Sequence, residues 1–186
     1  MIGYAFCGSF CTLSHSLAAL RQLCADGCDI LPIMSEKVYE TDTRFWRAED
    51  FRHAVRELCG RDIIHTIVDA EPLGPSTNLE ALIISPCTGN TLAKIASGIT
   101  DSSVTMAAKA HLRSDRTTLI ALASNDAMSA NLSNISTLLL RKNVYFVPMR
   151  QDDPEKKPHS LVADFTQVPD CLSNAIIHRQ RTPLFL

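Results

Sequence analysis

Apolar positions along this chain follow two alternating periods. Short continuous apolar runs fall at Ile2–Cys7, Ile30–Met34, Ile63–Val68, Leu82–Ser85, Thr118–Ala123 and Val144–Val147, the pattern of strands buried on both faces. Between them apolar residues recur at helical spacing. These are Leu13, Leu17, Leu20 and Cys24; Phe51, Val55 and Leu58 within Ala48–Cys59; then Thr91–Ile99, Ser103–Leu112, and Leu132, Ile135, Leu138 and Leu139 within Ala127–Arg141. A last helix is predicted near Pro169–His178. Gly8-Ser9 closes the first strand, Thr12 is placed to cap the first helix, Gly27 to end it, and Pro86 to halt the fourth run. Ser35–Arg44 and Glu71–Thr77 read as loops, and after Pro148 the chain turns polar.

Strands alternating with helices predict an α/β fold, a flavodoxin-like or Rossmann-like three-layer sandwich with a central parallel sheet. A length of 186 residues suits one domain over 1–186, with the segment from about 150 to 186 an extension packing on it. No internal repeat is present. In such a sheet ligands bind beyond the carboxyl ends of the strands, at the switch point. Those ends are Gly8–Thr12, Met34-Ser35, Ser85–Thr91, Ser124–Asp126 and Pro148–Arg150.

Composition narrows the partners. The chain is 46% hydrophobic and 20% charged, with a formal net charge of −2. It lacks the broad positive field of a nucleic-acid binder and is too apolar for disorder. No apolar run approaches the ~20 residues of a membrane span. The N-terminal run has no basic start and reads as a strand, not a signal peptide. Seven cysteines, an odd number set mostly in apolar stretches, read as reduced, buried thiols and not as a disulfide framework. The C-x₃-C pairs Cys7/Cys11 and Cys24/Cys28 lack paired histidines, so no metal site is predicted.

The strand ends carry small hydroxyl and amide residues. At Gly8-Ser9, free backbone N–H groups and a helix dipole meet, with Ser9, Thr12 and Ser35 hydroxyls to add donors. That describes a phosphate or carboxylate site; the alternative is that Ser9 and Thr12 only cap the helix. In Ser85–Thr91, Gly89 permits close backbone approach and Asn90 carries both a donor and an acceptor, suited to a flat heterocycle edge. Thr88 or Asn90 serving only as a helix cap is the alternative there. Neither a G-x-G-x-x-G nor a P-loop motif occurs.

Ser85-Pro86-Cys87-Thr88-Gly89-Asn90-Thr91 and the stretch after it to Ser102 resemble the Pro-Ala-Thr-Ala-Asn-Thr segment of the flavoprotein family of flavin-containing cysteine decarboxylases. Gly8-Ser9 looks like that family's phosphate-binding Gly-Ser. Ser124-Asn125 falls where the family has Pro-Ala-Met-Asn. The likeness spans most of residues 1–150. The run from Tyr145 through Pro154 to Ala163 resembles one branch of the family, in which the chain works beside a separate nicotinamide-binding subunit to oxidise a dihydropyridine dicarboxylate.

The resemblance implies FMN as cofactor, held by Gly8, Ser9, Thr12 and Ser35 at its phosphate. Thr88 and Asn90 then approach the ring or substrate, and Ser124 and Asn125 close the site. It implies NADP on the partner subunit, a small dicarboxylate substrate, and a homo-oligomer, a trimer or a multiple of it, with pockets between copies. The decarboxylases carry a His-Ile-x-Leu segment before the Pro-Ala-Thr-Ala-Asn strand. Glu71-Pro72-Leu73-Gly74 stands there instead, and His65 lies several residues earlier, so decarboxylation is disfavoured.

Other residues admit two readings. Cys87 reads as packing and not as a nucleophile, since no base is evident. His15 reads as a solvated helix residue near the site edge, and His111 and His178 as solvated. Arg150, Lys156, Lys157 and His159 form either a cationic tail for a dicarboxylate or a solvated loop paired with Asp152, Asp153 and Glu155. Phe45 and Trp46 read as a hydrophobic anchor or a cover for a flat ligand.

Overall fold

The computed structural model describes every residue except 75, 76 and 78; that part of the predicted Glu71–Thr77 loop lies outside the described residues. In chain order the elements are β1 (Ile2–Phe6), α1 (Leu13–Ala25), β2 (Ile30–Met34), α2 (Glu36–Glu40), α3 (Ala48–Cys59), α4 (Ile67–Ala70) and β3 (Ala81–Cys87). They continue with α5 (Gly89–Ser97), α6 (Ser103–Leu112), β4 (Thr117–Ser124), α7 (Leu132–Leu139), β5 (Val144–Phe146), β6 (Met149–Arg150), β7 (Leu161–Ala163) and α8 (Val168–Ile176).

Five strands pair in parallel in the order β2-β1-β3-β4-β5, the flavodoxin-like order, whose switch point lies between β1 and β3. The fold is thus the predicted α/β sandwich. Alternate strand residues feed two cores. Tyr4, Phe6 and Ile83 pack with Leu20 of α1, Val55 of α3 and Leu172 of α8. Ala5, Leu82 and Ile84 pack with Leu92 of α5, Val104 of α6 and Ile135 of α7. Burial on both sides is why the strand sequences are apolar without alternation.

The far edge forks. β5 pairs only with the first half of β4, Thr118–Ile120. Beyond it β7 inserts antiparallel against Ala123 and Ser124, and β6 pairs with β7. The polar tail therefore contains two short strands that periodicity did not reveal, because two or three residues are too few to show a period.

Further expectations are corrected. Ile63–Val68 is not a strand: Ile64 makes one parallel bridge to Ile33, and Thr66 then caps α4 through its side chain. Ser35–Arg44 is not all loop, since Ser35 caps α2. Pro86 does not end its strand. It sits at a bulge where Ser85 and Pro86 oppose one residue of β4, the position a sheet tolerates for proline. The helix expected from Ala127 begins only at Leu132, itself 49% exposed rather than inward. The first helix does not use Thr12 as a side-chain cap, whereas Gly27, at φ +83°, does follow its end.

A buried hydroxyl cluster ties α1 to the strands. Tyr4 Oη donates to the Ser16 carbonyl at 2.9 Å and lies 3.0 Å from Ser85 Oγ; Ser16 Oγ donates to the Ser85 carbonyl at 2.6 Å. Burial pushes the Tyr4 phenol up to about 12, so it remains a donor.

His111 is fully buried, not solvated. Its Nε2 lies 2.7 Å from the Thr117 carbonyl, and Nδ1 has no partner among the described residues. Nε2 therefore carries the proton, and burial holds the imidazole pKa below its ordinary value. The unfolded chain accepts the second proton more readily, at about pH 6.5. Stability from this residue is thus present above that pH and falls as pH drops through it. Thermal melts between pH 7.5 and 5.5 should show a smaller loss of Tm for His111→Gln than for the parent; equal losses contradict the assignment.

Candidate functional site

Three contacts bring the predicted strand ends onto one edge. The Ser35 N–H donates to the Phe6 carbonyl at 3.0 Å, joining the ends of β2 and β1. The Cys7 N–H donates to the Pro86 carbonyl at 3.1 Å, joining β1 to β3. Gly89 closes the row: an added Cβ would touch Ser124 Oγ and lie 2.6 Å from Asn131 Nδ2 and 2.7 Å from Asp126 Oδ1. Glycine is required there because the β3–α5 and β4–α7 loops meet on its bare backbone.

Hydrogen-bond accounting separates the eight candidates. Thr12 is buried and donates to the Ser9 carbonyl at 2.9 Å and to Ser9 Oγ at 3.0 Å. Thr88 accepts from the Thr91 N–H at 3.1 Å and donates to Thr91 Oγ1 at 3.0 Å. Ser124 donates to Asp126. These three commit their hydroxyl hydrogens within the chain. Ser9 accepts from Thr12, and Ser35 accepts from the Val38 N–H at 3.4 Å; each keeps its own hydrogen free to donate. Asn90 and Asn125 are exposed, and their amides have no partner among the described residues. At Gly8 an added Cβ would meet only the Phe10 ring, at 3.6 Å. The N–H groups of Gly89 and Asn90, in the first turn of α5, are free as well. The edge thus presents neutral donors and two amides. None of the eight residues lines the cleft between α1 and the tail, about 580 Å³ in volume.

Thiol chemistry is muted. Burial pushes Cys7 up to about 11 and Cys87 well above its ordinary value, so neither supplies a thiolate at neutral pH. Cys171 is also buried, but Cys11 is exposed and Cys24, Cys28 and Cys59 are half-buried, so the expected burial does not extend to every thiol.

The tail cations are paired locally. Arg150 meets Asp164 at 3.0 Å, Lys157 meets Asp152 at 2.6 Å, and Lys156 lies 3.8 Å from Asp153. A cleft of about 580 Å³ runs between α1 and this tail, with His15, Arg150, Asp152 and Asp164 on its rim and Phe165 in its wall. Burial opposes ionisation of Asp164, but hydrogen bonds from Thr166 and Gln167 and the nearby Arg150 charge outweigh it and hold its pKa down. Asp152 is held down by its hydrogen bond from Lys157. Each carboxylate of the cleft thus has its own cation, Asp164 with Arg150 and Asp152 with Lys157, which leaves no unpaired guanidinium for a dicarboxylate. Trp46 is anchored, its Nε1 donating to Ser14 Oγ at 3.0 Å, while Phe45 is exposed under Arg44. His65 stacks on Tyr39 with centroids 3.7 Å apart.

The family model named Flavoprotein matches residues 2–174. The chain belongs to the flavoprotein family. Among its flavoprotein relatives, the dipicolinate synthase B subunit of Bacillus subtilis (strain 168) is 37% identical over 185 residues, covering 100% of this chain and 92% of the relative. The crystal structure of the dipicolinate synthase B subunit from Bacillus halodurans C superimposes with a TM-score of 0.91 at 35% identity, over 100% of this chain and 95% of that one. The FMN-dependent cysteine decarboxylase SpaF shares the flavoprotein fold, with a TM-score of 0.70 at 21% identity over 95% and 94% of the two chains.

Asp126 and Asn131 of the β4–α7 loop stand against Gly89. The sequence placed Asp126 at a strand end without giving it a role, and the helix expected from Ala127 hid Asn131. The turn-forming run Asn125, Asp126, Ser129 and Asn131 was the available signal. Gly89→Ala should overpack this contact and cost about 1–3 kcal/mol, read as a lower urea midpoint with an unchanged m-value. An unchanged midpoint contradicts the close approach.

Proposed function

We propose that this flavoprotein is the B subunit of a dipicolinate synthase and works beside a dipicolinate synthase A subunit in the mother cell of a sporulating bacterium. The carrying observation is the full-length match: 37% identity over 185 residues to a chain of that name. The reaction converts dihydrodipicolinate to pyridine-2,6-dicarboxylate. It removes one hydride and one proton, and aromatisation of the ring drives it. NADP on the A subunit accepts the hydride, in keeping with the lack of a dinucleotide motif here.

FMN fits the strand-end edge by the chemistry of its donors. Ser9 and Ser35 retain hydroxyl hydrogens for a phosphate beside the open backbone at Gly8. Asn90 and Asn125 offer both a donor and an acceptor to the polar rim of a flat ring. Thr12, Thr88 and Ser124 act one step back, fixing the turns that carry these groups. When bound, FMN would relay the electron pair from the substrate to the NADP of the A subunit; this chain's part would be to orient it.

The edge is open in one chain, so a second copy completes its walls in a homo-oligomer, a trimer or a multiple of three.

Co-expression with the A subunit tests the reading. Dipicolinate should form from dihydrodipicolinate and NADP only when both chains are present, and Asn90→Ala with Asn125→Ala should lower the rate at least tenfold with Tm unchanged. Equal rates from the A subunit alone would reduce this chain to no catalytic part. Release of carbon dioxide from a cysteine peptide by this chain alone would favour the decarboxylase reading.

A further inference from the structure

Oxidation of a dihydropyridine ring removes a proton as well as a hydride, and the proton needs an acceptor. The strand-end segments Gly8–Thr12, Met34-Ser35, Ser85–Thr91, Ser124–Asp126 and Pro148–Arg150 contain a single carboxylate, Asp126. Burial keeps the Cys7 and Cys87 thiols protonated. Glu36, next to Ser35, is committed to another element: its Oε1 accepts from the Ser103 N–H at 3.0 Å, at the start of α6. His15 lies on the rim of the cleft beside α1.

Contacts on three sides fix Asp126. Its carbonyl accepts from the Asn131 N–H at 3.1 Å and the Ser129 N–H at 3.2 Å, which sets the turn. Its Oδ1 accepts from the Ser124 hydroxyl. The same oxygen lies 2.7 Å from where a Cβ on Gly89 would stand, so the carboxylate sits against the residue before Asn90. Asp126 is nevertheless exposed. Among the described residues its Oδ2 has no hydrogen-bond partner and it joins no ion pair. One oxygen is thus oriented from within the loop, and the other is open to a ligand.

We propose that Asp126 is the catalytic base of this site: it takes a proton from a ring carbon of the dihydropyridine dicarboxylate. The C–H bond breaks toward carbon, and its electron pair becomes the new ring double bond as the neighbouring carbon gives up its hydride. The hydride ends on the nicotinamide acceptor of the A subunit, and Asp126 passes its proton to water. The inference rests on the reading of this chain as a dipicolinate synthase subunit with its ligand at the strand ends. Charge sets the orientation of the ring. Both substrate carboxylates flank the ring nitrogen, and like charges repel, so the edge turned toward Asp126 is the one made of carbon alone. Ser124 is a positioning residue, aiming the carboxylate through Oδ1.

The test measures turnover in the co-expressed complex with the A subunit and binding in the purified full-length chain. In Asp126→Asn, kcat should fall about a hundredfold or more with Tm unchanged. The same substitution removes the like charge and should tighten pyridine-2,6-dicarboxylate severalfold by calorimetry, a gain that a folding defect does not produce. Asp126→Ala should lose as much kcat and regain part of it when formate supplies the missing carboxylate. Any one of three results overturns the proposal: parent-like kcat in Asp126→Asn, no return of rate with formate, or dicarboxylate affinity that stays the same or weakens. Each of these, in a complex whose parent makes dipicolinate, leaves the subunit reading standing. A parent complex that forms no dipicolinate overturns that reading and the base together.

Discussion

The arrangement at the strand ends depends on the buried Tyr4, Ser16 and Ser85 hydroxyl cluster. Ser16 lies on the first helix, Tyr4 on β1 and Ser85 on β3, so their hydrogen bonds tie the helix after the first strand to the strand across the switch point. Partners of fully buried hydroxyls are costly to lose, which fixes the helix over β1 and β3 rather than letting apolar contacts slide. The Gly8–Thr12 turn at the start of that helix is thereby held beside Thr88 and Asn90. A second constraint, the bare backbone of Gly89 against Ser124, Asp126 and Asn131, adds the fourth strand end to the row.

The resulting edge is a set of neutral donors with different duties. Thr12, Thr88 and Ser124 bond to their own turns, while Ser9, Ser35, Asn90 and Asn125 retain hydrogen-bonding capacity. The β6–β7 ribbon lies beside the end of β4 because β5 ends early, leaving the last residues of β4 to pair with β7. The chain leading into β7 is fastened to the β4–α7 loop by the Met128 N–H, which donates to the His159 carbonyl at 2.9 Å. The same ribbon forms one wall of the cleft beside α1, where Arg150 is already paired with Asp164.

Much of this was legible in the sequence. Five apolar runs became the parallel strands β1 to β5, the Leu82–Ser85 run continuing through Pro86, and Ala48–Cys59 formed a helix with the predicted bounds, because long helical spacing and two-sided burial leave strong patterns. Ile63–Val68 misled because an apolar run of that length also suits a short helix after a single bridge. Pro86 misled because a bulge removes the ladder bond that proline cannot make. The strand-end positions of Gly8, Ser9, Ser35, Thr88, Asn90, Ser124 and Asn125 followed from topology. Which of them keep a free donor did not, since that depends on bonds three residues away or across a loop. His111 defeated the reading because burial is set by the neighbouring strand, not by the charges beside it in the chain.

Amide chemical shifts recorded by NMR during FMN addition test the convergence of these strand ends most directly. The expected result is that Gly8–Thr12, Ser35, Thr88–Thr91 and Ser124–Asp126 shift together at one ligand concentration, while Gln22 and Thr166 in the cleft beside α1 stay fixed. Shifts confined to that cleft, or to one of the four strand-end segments alone, would contradict it.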